Sequence, residues 1–347
     1  MEHLAKILLL ATLSLATVSL AVGCAPGPLG LWQSSHLRAH PLVGQVYDVT
    51  GDSVTRPQAL FDAACHARFV LLGEQHDNAD HHRIQAWVLR ELGGCVGDAS
   101  VVLEQVDRGR SLELAAAVST ARRDPDVIAD AVDWKQSGWP PFREYRSVVE
   151  EALRHGFPLV AGNLSRADIR ALTDMSRNAE NDAEPDGKAR VDALRAELAW
   201  MPPLTEQGRE ALAEDIRASH CGMASAGMID AMVAGQRARD AVLARSLTDA
   251  AQGRDAAILI AGFGHTRRDF GVPHYLSELE PDGAVVSVGI LEVRDSATTF
   301  DAYREAFGGS FPFDFVWFTP RASNEDPCEK FREALERMKA AHQAVAE

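Results

Sequence analysis

Phe69-Val70-Leu71-Leu72-Gly73-Glu74-Gln75-His76-Asp77-Asn78 is a short apolar run that breaks at a glycine into a polar cluster. Four apolar residues bounded by glycine are too few for a helix and predict a buried strand, and Ala79 to Leu92 then carries a helical pattern. Glu74 and His76 therefore fall just past the carboxyl end of a strand. In open parallel sheets that is where ligands bind, because the strand ends splay into a crevice lined by the following loops.

The chain repeats this move three times. Val101-Val102-Leu103 runs into Glu104-Gln105, Pro158-Leu159-Val160-Ala161 into Gly162-Asn163-Leu164-Ser165-Arg166, and Ala256 to Ala261 into Gly262-Phe263-Gly264-His265. Each is an apolar strand followed by a helical pattern, the alternation of a mostly parallel α/β sheet flanked by helices. If the sheet is parallel, Glu74, His76, Glu104, Asn163 and His265 meet in one crevice. Between Ala167 and Leu247 the strands stop and several helical patterns follow, which predicts a small all-helical subdomain over 167–250. Its last helix puts Gln236 and Asp240, four residues apart, on one face. The α/β domain is then 41–166 with 251–347.

The net charge of −15 and pI near 5.3 argue against nucleic acid as a partner, which would want a basic face. At the amino end, Lys6 precedes an apolar run from Ile7 to Val22 that closes on Leu20-Ala21-Val22-Gly23-Cys24. This resembles a bacterial lipoprotein signal peptide (1–23) with a lipidated Cys24, and residues 24–40, rich in Pro, Gly and Ser, read as a tether. Ala25 lacks the aspartate of inner-membrane retention, so the expected location is the outer membrane, with the lipid as the membrane contact. Export leaves four cysteines in an oxidising compartment. Cys65 and Cys95 both fall near the amino end of the first crevice strand, which suggests pairing them and hence Cys221 with Cys328.

Glutamates and histidines at strand ends suit two chemistries. His76, Glu104 and His265 could hold a divalent metal such as zinc, or Glu74, His76 and His265 could share proton transfer in a hydrolase. No serine nucleophile elbow or phosphate loop occurs.

Leu72-Gly73-Glu74-Gln75-His76-Asp77-Asn78 with His81-His82, Ala161 through Arg166, Gly235-Gln236-Arg237-Ala238-Arg239-Asp240, and Ala261 through His265 to Gly271-Val272-Pro273 together resemble the ChaN-like haem-binding lipoproteins. These stand in a wider group with the Tiki, TraB and erythromycin esterase proteins, some of them hydrolases. The resemblance implies a haem-binding protein in iron uptake rather than an enzyme, with an outer-membrane haem receptor and a homodimer as possible partners. A ferric iron outside the cytoplasm favours a phenolate donor. Tyr47 resembles the position from which the family supplies one, His220 and Tyr275 are reserves, and Arg166 and Arg267 are cations for the propionates.

Overall fold

A computed structural model of the chain describes residues 30–120, 124–173 and 185–326, together with 328, 329, 332, 333, 336 and 337. Its centre is an eight-stranded sheet in the order β2-β1-β8-β7-β3-β6-β4-β5. The strands are β1 (Val46–Asp48), β2 (Ser53–Thr55), β3 (Phe69–Glu74), β4 (Ala99–Asp107), β5 (Leu159–Asn163), β6 (Ala256–Gly262), β7 (Val285–Glu292) and β8 (Phe315–Thr319). From β8 to β5 every neighbouring pair is parallel, and β1 pairs antiparallel with both β8 and β2. The fold is thus α/β with a mostly parallel sheet, as the alternating pattern predicts. The four strands that carry the polar ends, β3, β6, β4 and β5, are contiguous, which is why those ends converge.

All six residues of β3 are buried, as expected of a strand covered on both faces. The pleat sends Val70 and Leu72 to one side and Phe69 and Leu71 to the other. On the first side they pack with α1 (Pro57–Cys65), α2 (Ala79–Cys95) and α6 (Phe142–His155), through Leu60, Ile84, Leu89, Val148 and Val149. On the second they meet α10 (Ala226–Ala250) and α12 (Val272–Leu279), through Leu243, Leu247 and Leu276. Each fully buried aliphatic side chain of this kind contributes about 1.5–3 kcal/mol.

Between β4 and β5 lie α3 (Ser111–Thr120), α4 (Pro125–Ala131) and α5 (Trp134–Ser137) before α6. Between β5 and β6 the described elements are all helical: α7 (Arg166–Thr173), α8 (Pro185–Glu197), α9 (Glu206–Ser219) and α10. Leu212, Ala213 and Ile216 of α9 pack on Ile229 of α10 and on Phe270. The remaining helices are α11 (Phe263–Thr266), directly after β6, and α13 (Phe300–Ala306). Beside α13 a third apolar cluster joins Tyr47, Leu291, Phe311, Phe313 and Phe318.

Two sequence expectations change. The Pro/Gly/Ser-rich stretch before residue 40 is not a loose tether where it is described. Asp80, fully buried, accepts hydrogen bonds from the backbone N–H of Gln33 and Ser34 at 2.9 and 2.8 Å, and Arg83 donates to the Leu31 carbonyl at 3.0 Å. A short polar segment can be held this way because its backbone N–H groups find a buried carboxylate. Strand β4, read as ending at Leu103, runs on to Asp107 with a shift of register between Leu103 and Asp107, so Glu104 projects from a strand interrupted by a bulge. Cys65–Cys95 and Cys221–Cys328 are both disulfide-bonded, the pairings suggested above. The signal peptide and Cys24 lie outside the described residues.

Candidate functional site

At the carboxyl end of β3, the Glu74 Oε1 atom gathers three donors. Tyr145 Oη donates at 2.5 Å, His76 Nδ1 lies at 2.9 Å and Gln105 Nε2 at 3.1 Å. The other oxygen lies 3.3 Å from His82 Nε2. His76 Nε2 then faces Glu104 Oε2 at 4.0 Å, and that same oxygen accepts from the Gly262 N–H at 2.7 Å. Glu104 Oε1 is 3.2 Å from His265 Nε2, whose Nδ1 meets Asp240 Oδ1 at 2.6 Å. The result is an alternating carboxylate–imidazole chain, Glu74–His76–Glu104–His265–Asp240, drawn from β3, β4, α11 and α10. Gly262 makes the close approach possible, because a Cβ there would stand 2.9 Å from the His76 ring. Asn163 donates to the Glu104 carbonyl at 2.9 Å and Gln236 contacts His265 Nδ1 at 3.1 Å. All the residues expected in the crevice are therefore brought together.

The charges in this chain are strongly coupled. Burial alone would raise the Glu74 and Glu104 carboxyls. For Glu74 the neighbouring His82 and His76 outweigh it and hold the group well below the usual range. For Glu104 the neighbouring His265 and His76 hold it at about 2. Burial would lower His265, but Glu104 and Asp240 on either side lift it to about 10. Asp240 goes the other way, pushed up to about 6 by burial against the pull of His265. His76 is raised, burial being outweighed by Glu104 and Glu74. It is also the member that meets solvent: its side chain is 37% exposed, against 8% for His265 and 4% or less for the carboxylates. Neutral His76 with Nδ1–H donated to Glu74 keeps its lone pair on Nε2, the arrangement of a positioned general base.

The adjacent pair His81-His82 predicts one inward ring and one facing solvent, yet both are fully buried. Helix α2 is covered on two sides. His82 packs on Tyr145 with ring centroids 3.9 Å apart, while His81 Nδ1 accepts from the Gln75 N–H at 2.8 Å and its Nε2 meets Thr319 Oγ1 at 2.7 Å.

The expected metal trio does meet, but as a network and not as a cage. The two histidines approach different oxygens of Glu104, and one of those oxygens already accepts from the backbone. Among the described residues no group of three or more His, Cys, Asp or Glu side chains has the arrangement to hold a metal ion.

Of the expected haem contacts, Tyr47, Tyr275 and Arg267 are all buried, and the last two are also closed in by their partners. Tyr275 is fully buried, its hydroxyl accepting from Arg237 at 3.3 Å, and Arg267 is buried between Asp269 at 2.6 Å and Asp215 at 3.5 Å. Neither reaches a ligand without rearrangement, because each already closes a packed junction. Tyr47 packs its ring on Phe300 and Phe311 while its hydroxyl donates to Asp52, which also accepts from Arg304. Burial, and then that hydrogen bond, raise its phenol above the ordinary value. His220, capping α9, lines a pocket of about 500 Å³ whose other walls include Ile169, Leu212, Ile216 and Met228, with Arg239 at its edge. Donor, apolar wall and cation, the three things haem needs, thus occur together both at Tyr47 and at His220. Arg166 is exposed on a second pocket, of about 460 Å³.

Sequence reasoning missed Tyr145, Trp139, Gln105 and His82. Tyr145 sits in the buried stripe of α6, where periodicity cannot tell a core aromatic from a site hydroxyl. The signal was a tyrosine in place of phenylalanine among aliphatic residues. Trp139, whose ring lies 4.7 Å from that of His76, comes from an irregular segment with no period to read.

A sequence profile described as haem-binding uptake, Tiki superfamily, ChaN matches residues 60–276. No curated protein matches the chain. Among solved structures it is similar to ChaN of Campylobacter jejuni, described with cofacial haem, at 18% identity and a TM-score of 0.59, covering 78% of this chain and 95% of that one. Fainter likenesses are to an erythromycin esterase mutant, EreC, in its open conformation (15% identity, TM-score 0.41, 78% and 94% covered) and to the type III effector HopBA1 (14%, 0.37, 75% and 91%). The profile spans more than half of the sequence, and the chain belongs to the ChaN family of haem-binding uptake proteins in the Tiki superfamily.

Proposed function

We propose that this protein binds haem at the bacterial envelope, held there by a lipid on Cys24, and takes part in haem and iron uptake. The observation that carries the reading is the family match over residues 60–276. Haem when bound would supply the ferric centre, and this chain's part is to offer a donor, an apolar wall and a cation. Tyr47 is the first donor. Its hydroxyl donates to Asp52, and that bond and burial hold the phenol above its ordinary value, so a phenolate ligand would have to give up this bond, with Arg304 beside Asp52 to offset the negative charge. His220 is the second. The lipidated cysteine rests on the sequence Leu20-Ala21-Val22-Gly23-Cys24, and an outer-membrane receptor or a second copy of the chain would be the natural recipient of the cargo.

Haemin titration of the full-length chain tests this. Saturable binding with a high-spin ferric spectrum is expected, abolished in Tyr47→Phe. Binding unchanged by that substitution but lost in His220→Ala would move the donor to the α9–α10 pocket, and no saturable binding would overturn the haem reading. Palmitate labelling that persists in Cys24→Ala would overturn the anchor.

One observation favours a second reading, a Glu/His hydrolase. Haem binding gives no reason for a buried carboxylate–imidazole chain with a single solvent-facing histidine. In this reading His76 Nε2 takes a proton from water, Glu74 stabilises the imidazolium that forms, and the Glu104–His265–Asp240 segment fixes the far side of the crevice. Glu74→Gln and His76→Ala should each lower turnover on an ester panel by about 10²-fold or more, with the fold retained. Because His76 is raised from its ordinary value and must be neutral to act, activity should climb with pH through a midpoint above about 6.5.

A further inference from the structure

The pocket of about 460 Å³ that opens beside the crevice is polar and carries three arginines, Arg110, Arg166 and Arg239, in a chain whose net charge is −15. Among the described residues Arg110 and Arg166 donate no hydrogen bond and stand within ion-pair distance of no carboxylate. Arg239 is turned inward, donating to Asn163 Oδ1 at 3.3 Å. By contrast Arg108, two residues before Arg110, is fully engaged with Glu197 at 2.5 and 3.2 Å. Next to Arg166, Gly138 has a φ of +81°, which favours glycine, and a Cβ there would stand 2.8 Å from Arg166 Nη2, so the guanidinium lies close against that turn. The same pocket holds two carboxylates, Asp107 and Asp133. Asp107 is held above its ordinary range by burial, with Asp168 nearby adding to the rise, even though Arg239, Arg166 and Arg110 pull the other way. Three guanidinium groups against two carboxylates leave an excess of positive charge.

Two neighbours give the excess a direction. Trp139 lines the pocket and touches the His76 ring, so a ligand there lies against the solvent-facing end of the carboxylate–imidazole chain. Arg239 also lines the apolar pocket of α7, α9 and α10, so the polar and apolar pockets meet at that one side chain. A ligand with an apolar body and a carboxylate would place each part in the matching pocket. The polar pocket itself suits the carboxylate and not a porphyrin ring.

We infer that Arg110, Arg166 and Arg239 form a carboxylate subsite beside His76, and that the ligand of this crevice is an amphiphilic carboxylate whose apolar part lies in the adjoining helical pocket. Planar guanidinium forks are the side chains best matched to carboxylate oxygens. The subsite does not depend on the haem reading, but the source of the carboxylate does. It is a haem propionate if haem is held through His220 in the adjoining pocket, and the acid group of a separate crevice ligand if haem is held at Tyr47, which β8, β7, β3 and β6 separate from this subsite, or not at all.

The test compares haemin with its dimethyl ester, and succinate with dimethyl succinate, by calorimetric titration of the full-length chain. Arg166→Gln, Arg110→Gln and Arg239→Gln are run alongside, with a denaturation midpoint for each; the first two are exposed and keep the test valid if Arg239→Gln fails to fold. If the carboxylate is a propionate, haemin should bind about tenfold more tightly than the diester, and Arg166→Gln and Arg239→Gln should narrow the ratio toward one. If haemin shows no such preference, or does not bind, but succinate binds and weakens about tenfold in the same variants while dimethyl succinate does not bind, the subsite stands and serves another ligand. Acids and esters binding alike, or a preference for acids that none of the three substitutions moves, would overturn the inference whether or not haem binds elsewhere.

Discussion

Two polar networks leave the same short loop in opposite directions, and they are built on different principles. Glu74, His76 and His82 face the crevice, while Asn78, Asp80 and His81 face the amino-terminal segment and the end of β8. In the second network the contacts close on themselves. Asn78 Oδ1 accepts from the Asp80 N–H and from Ser34 Oγ while its Nδ2 donates to Glu292 and to the Pro320 carbonyl, Asp80 holds two backbone N–H groups and Arg83, and both His81 nitrogens are engaged. In the first, Glu74 Oε2, both His82 nitrogens, Gln105 Oε1 and Asp240 Oδ2 are buried without a hydrogen bond of good geometry, although Glu74 Oε2 and His82 Nε2 stand within ion-pair distance. A buried network that serves stability satisfies every member, whereas one that serves chemistry keeps some capacity unspent. The contrast fits the closed network to the fold and makes the open one the candidate for function.

The largest effect that would break the assignment is a stability measurement. Asp80→Ala strips the acceptor from two backbone N–H groups and a half-buried arginine, and should cost about 3–5 kcal/mol in urea denaturation. His76→Ala, at the half-exposed member of the open network, should cost about 1 kcal/mol or less. Equal losses would make both networks structural and remove the ground for a site at His76.

Much of this arrangement was legible in the sequence, because strand–glycine–polar units repeat and a parallel sheet puts their ends on one edge. Glu74, His76, Glu104, Asn163 and His265 were placed in the crevice on that argument alone. The same argument could not separate His81 from His82. Adjacent helix residues differ by direction, and which direction is core depends on what covers the helix; here both are covered. Nor could it find Tyr145, whose hydroxyl reaches Glu74 from a helix that periodicity reads only as a packing face. Tyr275, a reserve donor, and Arg267, a cation for the propionates, both lie buried with ready partners, because residue type alone does not say whether a side chain faces a ligand or closes a packed junction.

A finer test uses the two buried histidines, which should titrate on opposite sides of neutrality. Burial, with His82 nearby, holds His81 down at about 3, so its contribution is complete above about 6.5 and is lost as pH falls from there toward 3. His265 is lifted to about 10, so its contribution is complete below about 6.5 and is lost as pH rises toward 10. Each proton gives a slope of up to about 1.4 kcal/mol per pH unit inside its own window. In urea midpoints across pH, His81→Gln should flatten the acid limb and leave the alkaline one, and His265→Gln should do the reverse. Asp240, held at about 6, titrates inside the same acid window with the opposite sign, and Glu104, held at about 2, adds its own loss as pH falls below about 4.3, so His81 is read from the difference between His81→Gln and the parent and not from either curve alone. A single limb altered by both substitutions would mean that the two networks titrate as one and that the division between fold and function is drawn in the wrong place.

The smallest effect separates positioning from packing at Tyr145. Its ring is part of the core with Val148 and Val149, and its hydroxyl donates to Glu74. Tyr145→Phe keeps the ring, so stability should fall by about 1 kcal/mol, a little less than a hydrogen bond to a charged group usually contributes, because His76, Gln105 and His82 still surround the carboxylate. The informative readout is the His76 titration followed by NMR. With one donor gone, the Glu74 carboxylate carries more of its charge toward His76 Nδ1, and the His76 midpoint should rise by a few tenths of a pH unit. A purely structural hydroxyl would move the denaturation midpoint and leave that titration where it was. Tyr145 belongs to the open network only if both move together.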